Sequence, residues 1–379
     1  MGVFIELSKA FDTVDHKILL EKLSFYGIGY PYLKWFKSYL SNRKQCVSFG
    51  NDEKTTELEV VCGVPQGSIL GPLLFLLYVN DLPRASKLLE PIMFADDTNL
   101  FYAHRDLEVI FNVVNRELNN ICEWFRANKL SLNAGKTKYL IFHTCKKQIP
   151  NLALDIFIDG QKVTRENSTK FLGVLLDENL NWKQQIDNVC KKVSKGIGII
   201  YSARAFLNKD LLKQLYFAYI HSHISYCNIA WASTYKTNLQ PLKRRQKHAL
   251  RVISFKKKDF PSKPLFLDMN ILDIYAVNIF QILCLVYKCR ENLAPEIFKS
   301  VYTLKPIGKY SMRSSSNEVL KEPFYRNNYQ KFSFSFRGPR MWNSVAASRL
   351  ELLDNTSFAN FKNILKKILV NHEDILSLF

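Results

Sequence analysis

No C-x-x-C pair orders the eight cysteines of this 379-residue chain, and no regular spacing does so either. That excludes a zinc-ribbon or redox-dithiol pattern and leaves free thiols suited to a reducing compartment. A secretory leader is missing too, because Met1-Gly2-Val3 runs straight into a strand-like segment. Long apolar runs are scarce. The longest, Pro72 to Val79, is too short to span a bilayer, and Ile274 to Tyr287 is interrupted by Asn278 and Gln281. A soluble intracellular protein with no membrane partner is therefore expected. Repeats and low-complexity tracts are absent. Acidic residues are in short supply: 34 Asp and Glu face 53 Lys and Arg, a net charge of +19. Such an excess favours a polyanionic partner, most simply nucleic acid.

What is present reads as a globular chain, 47% hydrophobic and 23% charged, long enough for two or three domains. Up to residue 177 short β-branched or aromatic runs alternate with helical patterns. Gly2 to Leu7 reads as a buried strand, Lys17 to Phe25 and Tyr32 to Leu40 as amphipathic helices, and Ser68 to Val79 as an apolar helix. Pro91–Ala95 and Thr98–Tyr102 form a hairpin about Asp96-Asp97, followed by a helix from Leu107 to Phe125. Strands are expected at Tyr139–Phe142 and Lys170–Leu176. A strand–helix–hairpin–helix–strand order predicts an α+β, ferredoxin-like split βαβ sheet. Beyond residue 178 helices dominate: Trp182–Phe206, Lys209–Ala230, Asn238–Ser254 and Ile271–Lys288. Their basic clusters, Lys191-Lys192, Lys243-Arg244-Arg245 and Lys256-Lys257-Lys258, predict phosphate contacts with little sequence readout. Boundaries are expected near 178 and 260.

Asp96-Asp97 carries the chemistry. Two neighbouring carboxylates repel and stay ionised comfortably only beside cations, which a divalent metal supplies through hard oxygen coordination. Apolar flanks, Ile92 to Ala95 and Thr98 to Phe101, predict a buried hairpin. Glu6 lies in another apolar strand, where a carboxylate is costly unless paired or metal-bound. Were that strand the hairpin's neighbour, Glu6, Asp96 and Asp97 could hold two ions roughly 3.5–4 Å apart, an arrangement suited to nucleotidyl transfer. Gly63-Val64-Pro65-Gln66-Gly67-Ser68-Ile69-Leu70-Gly71-Pro72 lets a backbone approach a ligand closely and opens a helix.

Phe94-Ala95-Asp96-Asp97 resembles the F/Y-x-D-D box of reverse transcriptases, and Gly63 to Pro72 their nucleotide-contacting turn. Leu7-Ser8-Lys9-Ala10-Phe11-Asp12-Thr13-Val14-Asp15-His16 is similar to the first carboxylate box of non-LTR retrotransposon enzymes. Leu130-Ser131-Leu132-Asn133 with Lys136-Thr137 resembles the next palm element, and Phe171-Leu172-Gly173-Val174-Leu175 the primer grip. These five stand in family order over about residues 3 to 177. The resemblance implies an RNA-directed DNA polymerase extending a primer 3′-OH with dNTPs on an RNA template. It implies a palm with primer grip at 1–178, a helical thumb or connection at 179–260, and a C-terminal region at 261–379. Partners would be template RNA, DNA primer or RNA–DNA duplex, and dNTPs; cofactors would be two Mg²⁺ ions, with Mn²⁺ as a substitute. Glu6, Asp96 and Asp97 would bind metal, Phe11 would be the steric gate against a ribose 2′-hydroxyl, and Gln66 and Gly67 would contact nucleotide or template. Lys136 would be a general acid toward pyrophosphate.

Two departures from the family pattern stand out. Glu6 replaces an aspartate, and its extra methylene displaces a ligand by about 1.5 Å where catalysis is sensitive to ~1 Å. The family's fingers region and upstream endonuclease are not found ahead of Glu6, so a truncated chain with little or no extension by itself is expected. The rival expectations are a non-catalytic nucleic-acid-binding remnant and a domesticated interaction protein. Downstream, Trp182 and Leu212 to Trp231 resemble the thumb of jockey- and chicken-repeat-like elements. Phe334-Ser335-Phe336-Arg337-Gly338-Pro339-Arg340-Met341-Trp342-Asn343 resembles their C-terminal signature, which has no assigned chemistry.

Overall fold

The four apolar residues of Gly2–Ile5 form a strand buried along its whole length, as a position between two other strands requires. In the computed structural model the sheet around it runs Thr164–Arg165, Lys138–Leu140, Gly2–Ile5, Asp97–Phe101, Glu90–Phe94. All neighbours are antiparallel except Lys138–Leu140 with Thr164–Arg165. Leaving out the short Thr164–Arg165 edge, this is the strand order of a split βαβ sheet. The structure describes residues 1–49, 53–147, 149, 154–298, 319–348 and 357–371. It divides into two units, one of residues 1–170 with 177–180 and one of 171–176 with 181–379.

In the first unit the helix Leu107–Ala127 shows why one face of the sheet is dry. Its buried residues Leu107, Ile110, Phe111, Val114, Leu118, Ile121, Cys122 and Phe125 recur at helical spacing. They share a core with Leu74, Phe75 and Tyr78 of helix Leu70–Val79 and with Val3, Ile5 and Leu100 of the sheet. Because side chains alternate along a strand, Phe4 and Asn99 occupy the opposite face, where the Phe4 and Phe101 rings meet edge-on at 6.0 Å.

Several boundaries differ from expectation for identifiable reasons. The opening strand ends at Ile5, and Leu7–Ser8 pairs separately with Ser131–Leu132. Glu6 therefore falls between two short strands and is exposed, so the burial expected for its carboxylate does not occur. The segment read as one strand over Lys170–Leu176 is a hairpin, Ser168–Phe171 with Val174–Asp177. Leu172 and Gly173 form its turn with φ of 44° and 82°, the pairing of positive values that a tight hairpin favours.

The second unit is helical. Lys183–Ala203, Lys236–Ile253, Lys263–Asp268, Ile274–Arg290 and Phe358–Asn371 contribute to one hydrophobic core. Leu250 and Ile253 before residue 260 and Leu265, Ile274 and Phe361 after it belong to that same core. The helix expected over Lys209–Ala230 is interrupted. After Lys209–Tyr216 the chain widens into a π-turn at Phe217–His221, and Tyr226 adopts extended ψ of 120° before Asn228–Trp231. Tyr226 is fixed there by its hydroxyl, which donates to the Leu172 carbonyl at 2.6 Å, and by its own carbonyl, which accepts from Trp231 Nε1 at 2.8 Å. Among the described residues no helix is long and apolar enough to cross a membrane.

Candidate active site

Phe94 pairs directly with Asp97, which leaves Ala95 and Asp96 as a two-residue turn. Ala95 has φ of 53°, a left-handed conformation that costs an L-residue about 1–2 kcal/mol. Asp97 is thus the first residue of a strand, and only Asp96 sits in the turn. Both aspartates are exposed. The flank before them is exposed as well: Ile92 is 48% and Phe94 64% accessible. Paired residues project to the same side of an antiparallel sheet, so Phe94 shares the face of Asp97. Only the downstream flank, Thr98 to Leu100, is buried.

Ile5 pairs with Thr98, the last step of that register, so Glu6 follows the end of the paired strand and Asp97 precedes Thr98 on its neighbour. The backbone of Glu6 is held from both ends. Its N–H donates to Thr137 Oγ1 at 3.3 Å and its carbonyl accepts from the Asn133 N–H at 2.9 Å. Thr137 is fully buried, and its hydroxyl donates onward to the Asn133 carbonyl at 2.9 Å. The Asn133–Thr137 turn that makes this clamp also carries Lys136, whose side chain is exposed and whose N–H donates to Asn133 Oδ1 at 3.1 Å. Partial burial, and next the charge of Asp96, raise the Asp97 carboxyl above its ordinary 3.8. Among the described residues no three His, Cys, Asp or Glu side chains converge closely enough to hold a metal ion.

The glycine-rich turn is docked on the segment that follows Glu6. The Gly63 N–H donates to the Val14 carbonyl at 2.7 Å and the Val64 N–H to that of Phe11 at 2.8 Å. His16 Nε2 donates to the Gly63 carbonyl at 2.8 Å, and Gln66 Nε2 to Asp12 Oδ1 at 2.8 Å. Gly63 has φ of 87°, and a Cβ there would lie 2.8 Å from the Asp12 carbonyl oxygen, so only glycine fits this approach. Gln66 and Gly67 are exposed beyond it. Phe11 is half-buried and stacks on Phe75 with centroids 4.4 Å apart.

Asp12, His16, Asn133 and Thr137 were not singled out by sequence reasoning, although all lie inside the quoted motifs. Their signal is polar residues clustered in loops between apolar elements, which does not say which backbone they will grip. Asp15 is similar. It caps helix His16–Phe25 by accepting from the Lys17 and Ile18 N–H groups and pairs with Lys129 at 2.6 Å. That Lys129 hydrogen bond is the main cause lowering its carboxyl below 3.8.

Residues 1–176 match the family described as reverse transcriptase (RNA-dependent DNA polymerase). The chain is similar to the probable RNA-directed DNA polymerase from transposon X-element of Drosophila melanogaster, with 28% identity over 67% of this chain and 28% of that protein. Against the probable RNA-directed DNA polymerase from transposon BS of the same species, identity is 28% over 67% of this chain and 29% of that one. Against the RNA-directed DNA polymerase from mobile element jockey it is 27% over 50% and 21%. The chain spans less than a third of the length of these relatives. A telomerase structure from Candida albicans, in complex with a telomeric RNA fragment, is 10% identical over 79% of this chain and 48% of that one. At a TM-score of 0.28 that likeness carries no argument.

Proposed function

We propose that the chain, whose residues 1–176 match the reverse transcriptase family, is the core of an RNA-directed DNA polymerase of the non-LTR retrotransposon kind. It extends a primer 3′-OH with dNTPs along an RNA template. The observation that supports the reading is the pairing of the Gly2–Ile5 strand, which Glu6 directly follows, with the hairpin that carries Asp96 and Asp97. The first unit serves as palm, residues 179–260 as thumb or connection, and the role of 261–379 is taken up below.

An all-carboxylate donor set suits a hard divalent cation, which would offset the partial burial and the Asp96 charge that raise the Asp97 carboxyl. Asp96 and Asp97, both exposed at the hairpin, would hold such an ion, with the exposed Glu6 side chain joining them. Two Mg²⁺ or Mn²⁺ ions held there would supply charge neutralisation at the attacking 3′ oxygen and the departing pyrophosphate. The protein's own part is positional. Asp12 orients Gln66 toward nucleotide or template, with Gly67 leaving room for a backbone approach. Phe11, held by Phe75, screens the sugar. Lys136, on the turn that grips Glu6, would protonate pyrophosphate.

Titration of Mn²⁺ followed by electron paramagnetic resonance tests the site. Binding by the chain should be lost in Asp96→Ala and Asp97→Ala; equal binding by these variants counts against it. A second reading, a non-catalytic nucleic-acid-binding remnant, is favoured by Glu6 in place of aspartate and by the lack of a three-ligand cluster among the described residues. That reading expects RNA–DNA duplex to be retained at low salt with no dNTP incorporation, even after Glu6→Asp.

A further inference from the structure

Polymerase chemistry leaves the string Phe334 to Asn343 without a role, yet it opens the helix Phe334–Ser348 and forms one wall of a cavity of about 300 Å³ in the second unit. Met341 and Trp342 are buried in the core, while Arg337 and Arg340 line the cavity. Tyr235, Lys236, Tyr275 and Lys331 line it with them. Four cationic side chains therefore stand around this space, and no Asp or Glu is among its described lining residues.

Arg337 is the informative one. Its Nη1 donates to Asn278 Oδ1 at 2.8 Å, a neutral partner. Asn278, 2% exposed, is itself locked by its amide donating to Asn228 Oδ1 at 2.9 Å. Among the described residues no carboxylate pairs with Arg337. Asp273, whose charge reaches Tyr275, is engaged by Lys243 at 2.8 Å. Burial pushes the guanidinium down to about 10, as expected of a cation that has lost water without gaining an anion. Removing a charge from water is strongly unfavourable unless it is paired, and the other charged residues lining the cavity, Lys236, Lys331 and Arg340, are cations as well. The rim adds aromatic surface: Tyr235 is 51% exposed and is braced by Phe332, edge-on at 4.9 Å.

We propose that this cavity binds one nucleotide unit, its phosphate held by Arg337 with Arg340 and Lys331 and its base lying against Tyr235 and Tyr275. Arginine forks match phosphate oxygens, and aromatic rings take any base by stacking. The volume is at the small end of ligand pockets and admits a single nucleotide, not a duplex. The nucleotide belongs either to a single strand of nucleic acid or to a free mononucleotide. The site lies in the second unit and does not rest on the polymerase reading.

The test is photocrosslinking of the full chain to a short RNA oligonucleotide carrying 4-thiouridine, with adducts mapped by mass spectrometry. Adducts are expected on Tyr235 or Tyr275. They should fall by about tenfold for each cation lost in Lys331→Ala and Arg340→Ala, while adducts in the first unit stay unchanged. Arg337→Met should abolish them. Because that variant removes an internal hydrogen bond, the two rim substitutions provide the check that does not depend on its folding. If millimolar uridine monophosphate erases these adducts, the pocket accepts free nucleotide; if it does not, the occupant is a strand, and either result supports the assignment. Absence of adducts at these tyrosines overturns it, as do adducts that ignore the rim substitutions. Displacement by inorganic phosphate as effective as by uridine monophosphate would reduce the site to a simple anion pocket and overturn it too.

Discussion

Replacing Gly63 by alanine probes the joint between the glycine-rich turn and the first carboxylate segment. The backbone there has φ of 87°, and the added Cβ would sit 2.8 Å from the carbonyl oxygen and 2.9 Å from the Cα of Asp12. Left-handed backbone costs an L-residue about 1–2 kcal/mol, and forcing two packed backbones apart adds about 1–3 kcal/mol. Separation also weakens the bonds from Gly63 to Val14 and from Val64 to Phe11, 2.7 and 2.8 Å long, each worth about 1 kcal/mol. The total is about 2–5 kcal/mol with both bonds kept and up to about 7 kcal/mol if both are lost, a large part of the ~5–15 kcal/mol that stabilises a typical domain. Gly67→Ala is the internal control: φ is 79°, but nothing lies within 4 Å of its Cβ position, so it should lose only about 1–2 kcal/mol. Urea unfolding gives the free energies, and hydrogen exchange over residues 10–16 and 61–67 locates the loss. Equal destabilisation by the two substitutions, or unchanged exchange over residues 10–16 in Gly63→Ala, would refute the docking argument.

Thr137→Val keeps shape but leaves the Glu6 N–H without its acceptor, which should cost about 1–3 kcal/mol and weaken Mn²⁺ binding, whereas Thr137→Ser should restore both. Asp97→Asn should raise the melting temperature at neutral pH without divalent cation. A carboxyl held above 3.8 in the folded state contributes stability below that pH and loses it as pH rises through the raised value. The gain should vanish below pH 3.8, where the acid is protonated anyway; a gain that persists there contradicts the assignment. The exposed Lys191, Lys192, Lys256, Lys257 and Lys258 should make duplex binding fall steeply with salt and vary little with sequence. Tight binding indifferent to ionic strength would speak against phosphate contacts by the second unit.

The sheet was legible because its strands are short apolar runs between long periodic helices, and because the order strand, helix, hairpin, helix, strand admits few topologies. The positions of Asp96 and Asp97 were legible at the level of the hairpin. Their exposure was not, because Ile92 and Phe94 look like core residues in sequence and lie on the open face instead. Glu6 shows the same limit: a carboxylate in an apolar run reads as buried, but capture of its backbone by Thr137 and Asn133 ends the strand just before it. Hydrogen bonds between segments more than a hundred residues apart leave no local periodicity. In the second unit Gly338 and Pro339 disguised helix Phe334–Ser348, since both residues are poor in helix interiors. The helix expected over Lys209–Ala230 gave no sign of its π-turn at Phe217–His221 or its break at Tyr226, because breaks of that kind follow from tertiary partners such as Leu172 and Trp231.

The most direct test of the carboxylate face is dNTP incorporation on a primed RNA template, with and without divalent cation, comparing the chain with Asp96→Ala and Glu6→Asp. Slow incorporation that requires the cation, rises in Glu6→Asp and is absent from Asp96→Ala is the expected result; incorporation that survives Asp96→Ala would place the chemistry elsewhere and contradict the proposal.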